Sequence, residues 1–145
     1  MKIAIGSDHA GFAGKEKIKL TLDELGIDYE DVGTYSTDSV DYPDFGAKVG
    51  ESVSSGNAEQ GIVVCGSGIG ICIAANKIQG IRAAQAWSEE TARLARQHND
   101  ANILSIGARV LPESEIPKII KAWFEAEFEG GRHQGRVEKI SSLES

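Results

Sequence analysis

The chain has few of the residues that form covalent or metal cross-links. Its 145 residues include two cysteines, Cys65 and Cys72. Their spacing forms neither a disulfide framework nor the Cys-x-x-Cys motif of zinc and redox sites. The three histidines are widely spread and give no zinc pattern, so we expect no metal site. Free cysteines are typical of a reducing compartment, which predicts a cytoplasmic protein.

Other absences exclude further classes of protein. No apolar run approaches the roughly 20 residues that span a bilayer, and the first residues lead into a strand instead of a secretory signal. The formal net charge of −7 argues against nucleic acid and anionic membranes as partners. A small anionic ligand remains compatible with this charge because arginines are available locally. Three of them lie in the last third of the chain: Arg109, Arg132 and Arg136.

Apolar runs alternate with amphipathic segments along the whole chain, which predicts a single α/β domain over residues 1–145. The alternation indicates βαβ units, with a parallel sheet covered by helices on both faces. The predicted strands are Lys2–Gly6, Asp28–Val32, Gln60–Cys65, Ile81–Ala86 and Ile103–Ile106. Predicted helices cover Lys15–Leu25, Phe45 to about Gly56, Ile71–Lys77, a segment starting at Ser88, Ser114 to about Phe128, and Arg132–Leu143.

The segment from Cys65 to Gly70 is the strongest candidate site. It reads as the end of a buried strand, a glycine-rich turn and a helix start, so a thiol stands beside backbone N–H groups that can hold an anion. The same field favours a reactive thiolate. The alternative is that Cys65 is a small buried hydrophobe, as we expect for Cys72. The glycine spacing matches neither a P-loop nor a dinucleotide-binding motif.

Polar residues elsewhere allow both a functional and an ordinary interpretation. Asp8 and His9 follow the first strand, and they form either an acid/base or phosphate-facing pair or a simple Asx turn. His98 and Asn99 end a helix, where such residues are common. A histidine there also suits proton transfer to a sugar oxygen, and an asparagine suits binding of hydroxyl groups.

The late arginines allow the same two interpretations. Arg132 and Arg136 are four positions apart and share one helix face, with His133 pointing elsewhere. They form either a solvated basic face or a two-armed phosphate clamp, to which Arg109 adds a third arm.

Taken together, the motifs resemble ribose-5-phosphate isomerase type B, whose wider family includes the galactose-6-phosphate isomerase subunits. The resemblance runs from residue 1 to about residue 140. It is carried by Gly6-Ser7-Asp8-His9-Ala10-Gly11, Asp41-Tyr42-Pro43, Cys65-Gly66-Ser67-Gly68-Ile69-Gly70, Ala74-Ala75-Asn76-Lys77, Gly80-Ile81-Arg82-Ala83, Arg96-Gln97-His98-Asn99-Asp100-Ala101-Asn102 and Glu129-Gly130-Gly131-Arg132-His133.

The resemblance implies a Rossmann-like three-layer α/β/α sandwich with a five-stranded parallel sheet. It also implies interconversion of D-ribose 5-phosphate and D-ribulose 5-phosphate through an enediolate, in the pentose phosphate pathway, without cofactor. The implied assembly is a homodimer with shared active sites, or a tetramer, in which the last helix, from about residue 131, packs on a partner subunit. His98, Asn99 and Arg109 would then serve the neighbour's Cys65.

The resemblance also implies a role for each site residue. Cys65 takes the C2 proton, Ser67 assists proton movement between O1 and O2, and His98 with Asp8 opens the sugar ring. Asn99 binds sugar hydroxyls. The enediolate oxygen is bound by the backbone of Gly66, Gly68, Ile69 and Gly70, and the phosphate faces His9, Arg109, Arg132 and Arg136.

Three positions depart from the family pattern. Ser67 stands where most members have threonine, and Ile71 stands where some members carry a glutamate base. Many members have a tyrosine near Glu90 that this chain lacks, and Trp87-Ser88 resembles a subset of the family instead. Two alternatives stay open. One is an isomerase that prefers a six-carbon sugar phosphate, allose 6-phosphate or galactose 6-phosphate, and the other is a non-catalytic phosphate- or nucleotide-binding module.

Overall fold

A computed structural model describes residues 1–144, so the last position of the predicted domain, Ser145, lies outside the described residues. The strands are β1 (Lys2–Ser7), β2 (Asp28–Asp31), β3 (Gln60–Cys65), β4 (Ala83–Gln85) and β5 (Ile103–Gly107). The helices are α1 (Phe12–Leu25), α2 (Tyr42–Ser54), α3 (Gly70–Asn76), α4 (Glu89–Asn99), α5 (Ile116–Glu125), which follows a short 3-10 turn at Glu113–Glu115, and α6 (Arg132–Ser141).

The five strands form one parallel sheet in the order β2-β1-β3-β5-β4. Alternate residues of the central strands face opposite layers, which separates the core into two clusters. One cluster packs against α1, α4 and α5, and the other packs against α2 and α3. The predicted α/β/α sandwich with a five-stranded parallel sheet is therefore confirmed.

Element boundaries differ from the predicted ones where local contacts override the hydrophobic period. β4 is shorter than predicted because the N–H of Arg82 donates to the Asn102 side chain, 2.8 Å away, and strand pairing starts at the next residue. α5 ends before the predicted Phe128, and the chain then turns so that the N–H of Glu129 donates to the Gln97 carbonyl at 3.0 Å. α2 begins earlier than predicted because Pro43 fits a first helical turn.

The open edge of β4 is covered by a side chain instead of a strand. The N–H of Ala83 donates to Asn76 Oδ1 at 2.7 Å, and Asn76 Nδ2 donates to the Ala83 carbonyl at 3.0 Å. One amide group therefore satisfies both backbone groups that a neighbouring strand would otherwise use.

A buried lysine fastens the loop after β2 to α1. The Lys15 side chain is completely buried, and its Nζ lies 2.6 Å from Asp31 Oδ1 and 2.5 Å from the Thr34 carbonyl oxygen. The backbone at Thr34 in turn pairs with Ser7, the last residue of β1. Burial alone would raise the pKa of Asp31, but hydrogen bonds from Lys15, Gly33 and Lys19 outweigh it and lower the pKa.

Among residues 1–144, no helix is both long and apolar enough to traverse a lipid bilayer.

Replacing Lys15 should test this fastening. We expect Lys15→Met to lower the free energy of unfolding by roughly 3 kcal/mol, because it leaves the Asp31 carboxylate without its buried partner. Lys2→Met is the matched control, since Lys2 and Glu30 form an exposed pair worth less than about 1 kcal/mol. Because folding lowers the pKa of Asp31, the wild type should lose this stability as the pH falls below the unfolded value of about 3.9. Urea unfolding at neutral and acid pH measures both effects, and similar losses in the two variants would contradict the interpretation.

Candidate active site

The sheet order defines a crevice at the carboxyl ends of β1 and β3. The chain leaves β1 towards β2 on one side and later returns to β3 on the other, which makes this point a topological switch where ligands bind in open α/β sheets. The loops that begin at Asp8 and Gly66 meet here, and the N–H of Asp8 donates to the Val64 carbonyl at 3.3 Å. The fold therefore brings two of the predicted loops together.

Cys65 ends β3 with its sulfur against the following turn. The N–H of Gly68 donates to Cys65 Sγ at 3.2 Å, so a backbone donor of the turn faces the sulfur. Cys65 is 4% exposed and also packs against the α2/α3 core cluster, so most of its surface is covered. Gly68 has φ +77°, and a Cβ there would lie 2.8 Å from the Gly107 nitrogen, so the turn requires glycine.

Two side chains from the sheet hold the carbonyls of this turn. Gln85 Nε2 donates to the Ser67 carbonyl at 2.6 Å, and Ser105 Oγ donates to the Gly68 carbonyl at 2.7 Å. The N–H of Ile69 donates to Ser67 Oγ at 3.2 Å. The hydroxyl of Ser67 is therefore placed at the turn, close to the backbone that the sequence predicted as an anion cradle.

Cys72 has the ordinary role that the sequence predicted. Its thiol donates to the Ala83 carbonyl at 3.5 Å. Burial raises the pKa of Cys72, and the nearby Cys65 raises it further, so this thiol stays protonated at neutral pH.

Asp8, His9 and Tyr42 form the wall of the crevice next to β1. One oxygen of Asp8 accepts the N–H of Gly11 at 2.9 Å, three residues on and not the two residues of an Asx turn. His9 Nδ1 lies 3.1 Å from the Val40 nitrogen, so Nε2 is the ring nitrogen that can reach a ligand. Tyr42 lies directly against the turn, because a Cβ on Gly70 would be 2.5 Å from the tyrosine ring.

Arg109 lies at the same edge of the sheet, after β5. Its N–H donates to the Gly66 carbonyl at 2.9 Å, and its exposed side chain runs past Gly66. Its backbone thus contacts the glycine turn of its own chain.

The other predicted residues lie at the opposite end of the sheet, near the amino ends of the strands. A helix that connects parallel strands runs back across the sheet, so the last turn of α4, with His98 and Asn99, lies near the amino ends of the strands. The start of α6 is beside it, because His98 and His133 stack with ring centroids 4.2 Å apart. Arg132 and Arg136 are exposed on α6, whereas His133 is buried and points away from them, as predicted. The fold therefore separates the predicted residues into two groups.

The group around His98 includes donor types that bind zinc. His98, His133 and Glu129 each offer a ligand atom within 4.8 Å of the others. The two rings stack at an interplanar angle of 15°, however, so their nitrogen lone pairs run side by side instead of converging on one ion. Burial lowers the pKa of His133, and His98 and Arg132 lower it further, whereas Glu129 raises it. Burial and the positive charge of Arg132 also disfavour a bound cation, so the arrangement suits an anion better than a metal ion.

Two arginines hold the end of α4, where His98 and Asn99 lie. Asp100 adopts φ +45°, a conformation that is uncommon for residues other than glycine. Arg82 donates to the carbonyls of Asn99 and Asp100 at 3.1 and 2.9 Å, and Arg96 donates to the Ala101 carbonyl at 2.6 Å. These contacts fix the backbone that carries the predicted sugar-binding residues.

The sequence interpretation gave no role to several residues of the two groups. Glu129 and Tyr42 belong to motifs quoted for the resemblance, so those motifs carried a signal for them. Gln85 and Ser105 belong to no such motif, because their role depends on strand neighbours that are distant in sequence.

Comparison with known proteins assigns these features to a family. The family model described as Ribose/Galactose Isomerase matches residues 3–140, nearly the whole chain. The chain belongs to this family of sugar-phosphate isomerases. The predicted resemblance to ribose-5-phosphate isomerase type B is thereby confirmed at the level of the family.

Curated relatives are similar in sequence to nearly the whole of this chain. The ribose-5-phosphate isomerase B of Escherichia coli is 46% identical over 143 residues, which cover 99% of this chain and 96% of the relative. The D-erythrulose-4-phosphate isomerase of Pectobacterium atrosepticum is 40% identical, with 99% and 95% covered. The names of these relatives thus refer to different sugar phosphates.

Solved structures match the isomerase equally well. The ribose-5-phosphate isomerase B of Clostridium thermocellum has a TM-score of 0.97 at 52% identity, with 99% of this chain and 97% of that chain covered. The Mycoplasma genitalium enzyme, solved with bound ribulose-5-phosphate, has a TM-score of 0.93 at 42% identity, with 98% and 95% covered.

Removing Arg82 should loosen the end of α4. We expect Arg82→Ala to lower the free energy of unfolding by about 1 kcal/mol, because the exposed Asn99 carbonyl and the partly buried Asp100 carbonyl lose their charged donor. Arg93→Ala replaces an exposed arginine of α4 and should change the free energy of unfolding by less than about 0.5 kcal/mol. Urea unfolding compares the variants, and equal values would show that Arg82 contributes no more than a surface arginine.

Proposed function

We propose that this isomerase interconverts D-ribose 5-phosphate and D-ribulose 5-phosphate through an enediolate, as a step of the pentose phosphate pathway. The observation that carries the proposal is the hydrogen bond from the Gly68 N–H to Cys65 Sγ in the switch-point crevice. It fixes the sulfur of the proposed base at a place where backbone amides and His9 can face a bound anion. The Escherichia coli and Clostridium thermocellum relatives that bear the name ribose-5-phosphate isomerase B support the choice of a pentose.

The proposed reaction consists of proton transfers. After His98 and Asp8 assist ring opening, the Cys65 thiolate removes the proton from C2 of the aldose. The C2 electrons form a double bond to C1, and negative charge develops on O1. Ser67 helps to move a proton between O1 and O2, and the thiol returns a proton to C1, which leaves the ketose carbonyl at C2. No electrons leave the substrate, so we propose that the reaction requires no cofactor.

Fixed hydrogen-bond donors must meet the charge of the enediolate, and stabilisation of this kind often contributes more to catalysis than any other effect. We assign that role to the turn from Gly66 to Gly70, since the first N–H groups of a helix have no partner within it. Asn99 would bind the sugar hydroxyls. His9, Arg109, Arg132 and Arg136 would bind the phosphate, which holds the reacting carbons in place from a distance. Arg132 and Arg136 lie beside His98, so in this proposal they come from the partner subunit.

We propose that two copies of the chain complete each other's active sites. Cys65 and His98 lie at opposite edges of the sheet, so a site that uses both needs His98 and Asn99 of the partner subunit. Arg109 was also predicted to serve the neighbour's Cys65, and this stays a prediction, because only its backbone contacts the Gly66 turn of its own chain while its side chain is exposed. Cys65 lines neither the cavity of about 910 Å³ beside α6 nor that of about 490 Å³ beside α1. A partner subunit would supply the missing wall.

Exposed apolar side chains supply surface for such an association. Ile69 just before α3, Ile73 on α3 and Trp87 after β4 are all more than half exposed. Ile140 and Leu143 line the larger cavity together with Asn99. This supports the packing of the last helix, from about residue 131, on a partner in a homodimer or tetramer. We propose a cytoplasmic location, in keeping with the free cysteines.

Replacing the two cysteines separately tests the proposed base. We expect Cys65→Ala to abolish deuterium exchange at C2 of ribose 5-phosphate while the sugar phosphate still binds, because the variant lacks only the proton acceptor. Cys72→Ala is the matched control and should retain activity, since that thiol stays protonated. Exchange is followed by NMR and binding by calorimetry. If exchange in Cys65→Ala persists near the wild-type rate, Cys65 is not the base.

The same assay separates the alternative functions. Allose 6-phosphate and galactose 6-phosphate serve as competing substrates, and a higher kcat/KM for either would assign the chain to a six-carbon sugar. Binding of ribose 5-phosphate without turnover by the wild type would instead indicate a binding module, an alternative that the burial of Cys65 favours.

Mixing two inactive variants tests the shared site. Cys65→Ala and His98→Asn should each be inactive as homodimers, whereas a mixed dimer contains one site with both intact residues. Random assortment of equal amounts should restore about a quarter of the wild-type activity, because half of the dimers carry one intact site each. The variants are unfolded and refolded together, and each variant treated alone is the control. No recovery in verified mixed dimers would show that each chain builds its own site.

A further inference from the structure

The turn after Cys65 contains a peptide group that is held from both sides. In the Ser67–Gly68 peptide, the carbonyl accepts from Gln85 Nε2 at 2.6 Å and the N–H donates to Cys65 Sγ at 3.2 Å. Because a trans peptide is planar and its C=O and N–H point in opposite directions, a hydrogen bond at one side sets the direction of the other. Gln85 therefore determines where the N–H that contacts the sulfur points.

The next peptide group repeats this arrangement. The Gly68 carbonyl accepts from Ser105 Oγ at 2.7 Å, and the N–H of Ile69 in the same plane donates to Ser67 Oγ at 3.2 Å. The two planes thus present their N–H groups to the two side chains that the proposed function uses for proton transfer, Cys65 and Ser67.

The two donors come from neighbouring strands. Gln85 and Ser105 are register partners in β4 and β5, so their side chains leave the sheet on the same face. Ser105 is completely buried in a strand whose other side chains are apolar. A buried hydroxyl is costly unless it forms a hydrogen bond, and here that bond goes to the turn. A residue that served packing alone would need no hydroxyl at this position.

The turn needs external support because of its glycine. Glycine populates positive and negative φ about equally, so the backbone at Gly68 can change its direction at little steric cost. Without the two donors, either peptide could rotate and present a carbonyl oxygen to the reacting groups. A carbonyl oxygen would repel both a thiolate and a developing enediolate.

We propose that Gln85 and Ser105 are positioning residues, which aim the amides of Gly68 and Ile69 at Cys65 and Ser67 by anchoring the opposite ends of the same peptide groups. The proposal rests on the proposed isomerase function. It adds two residues that touch no substrate, and they act through the orientation of the backbone. Their loss should therefore reduce turnover more than substrate binding.

A matched pair of substitutions tests Ser105. Ser105→Thr and Ser105→Val add nearly the same volume, and only the threonine retains a hydroxyl. We expect Ser105→Val to lower kcat at least about tenfold with KM changed less than about twofold, because misaimed amides lose part of their stabilisation of the transition state. Ser105→Thr should recover most of the loss. Equal kcat values for the two variants would overturn the role of the hydroxyl.

Gln85→Glu tests the second anchor at a position that is only partly buried, unlike Ser105. Glutamate has the same size, but its carboxylate cannot donate to the Ser67 carbonyl, so kcat should again fall at least about tenfold while KM changes little. Ile119→Val, a buried change in α5 on the other face of the sheet, controls for a general loss of stability and should leave both constants unchanged. A kcat for Gln85→Glu within twofold of the wild type would overturn the proposal.

A readout that needs no activity separates this proposal from the proposed function. We expect the amide protons of Gly68 and Ile69 to exchange faster with solvent in Gln85→Glu and Ser105→Val, while the Ile5 amide in β1 keeps its wild-type rate. NMR measures this exchange. If the wild type shows no isomerase activity, the proposed function fails and the exchange rates alone decide the anchoring. Unchanged exchange at both amides would overturn the anchoring whatever the enzyme catalyses.

Discussion

Direct backbone contact between the glycine turn and β5 is the constraint on which the rest of the site depends. A Cβ on Gly107 would lie 2.3 Å from the Ser67 carbonyl oxygen, and a Cβ on Gly68 would lie 2.8 Å from the Gly107 nitrogen. With no side chain between them, the turn lies within reach of hydrogen-bond donors on β4 and β5. This close approach is what allows the sheet to set the direction of the amide beside Cys65.

The same sheet geometry explains why one copy of the chain looks incomplete as an enzyme. Parallel strands gather their following loops at one edge, and the helices between them must end at the other. Cys65 and its glycine turn therefore lie far from His98 within one chain, although both belong to the family motifs. The proposed sharing of active sites between two copies of the chain follows from this separation.

The sequence predicted the fold well because its signals were local. Hydrophobic period and glycine breaks located all five strands, and the Ser88 cap marked the start of α4, where it forms a capping box with Thr91. The candidate site residues were predicted from strand-end loops, helix ends and family motifs. The role of Gln85 and the stacking of His98 on His133 were missed, because these contacts join segments that are distant in the chain. Tertiary contacts of this kind leave no period or spacing in a single sequence.

The amide of Asn76 at the edge of β4 has a consequence for how copies of this chain can assemble. Since both backbone groups of Ala83 are already engaged, the open side of the sheet offers little to which a strand from another molecule could add. Growth into a continuous intermolecular ribbon, the first step towards fibrils, is disfavoured at this strand. A short polar side chain thereby protects the open side of β4, while several apolar side chains elsewhere on the chain remain exposed.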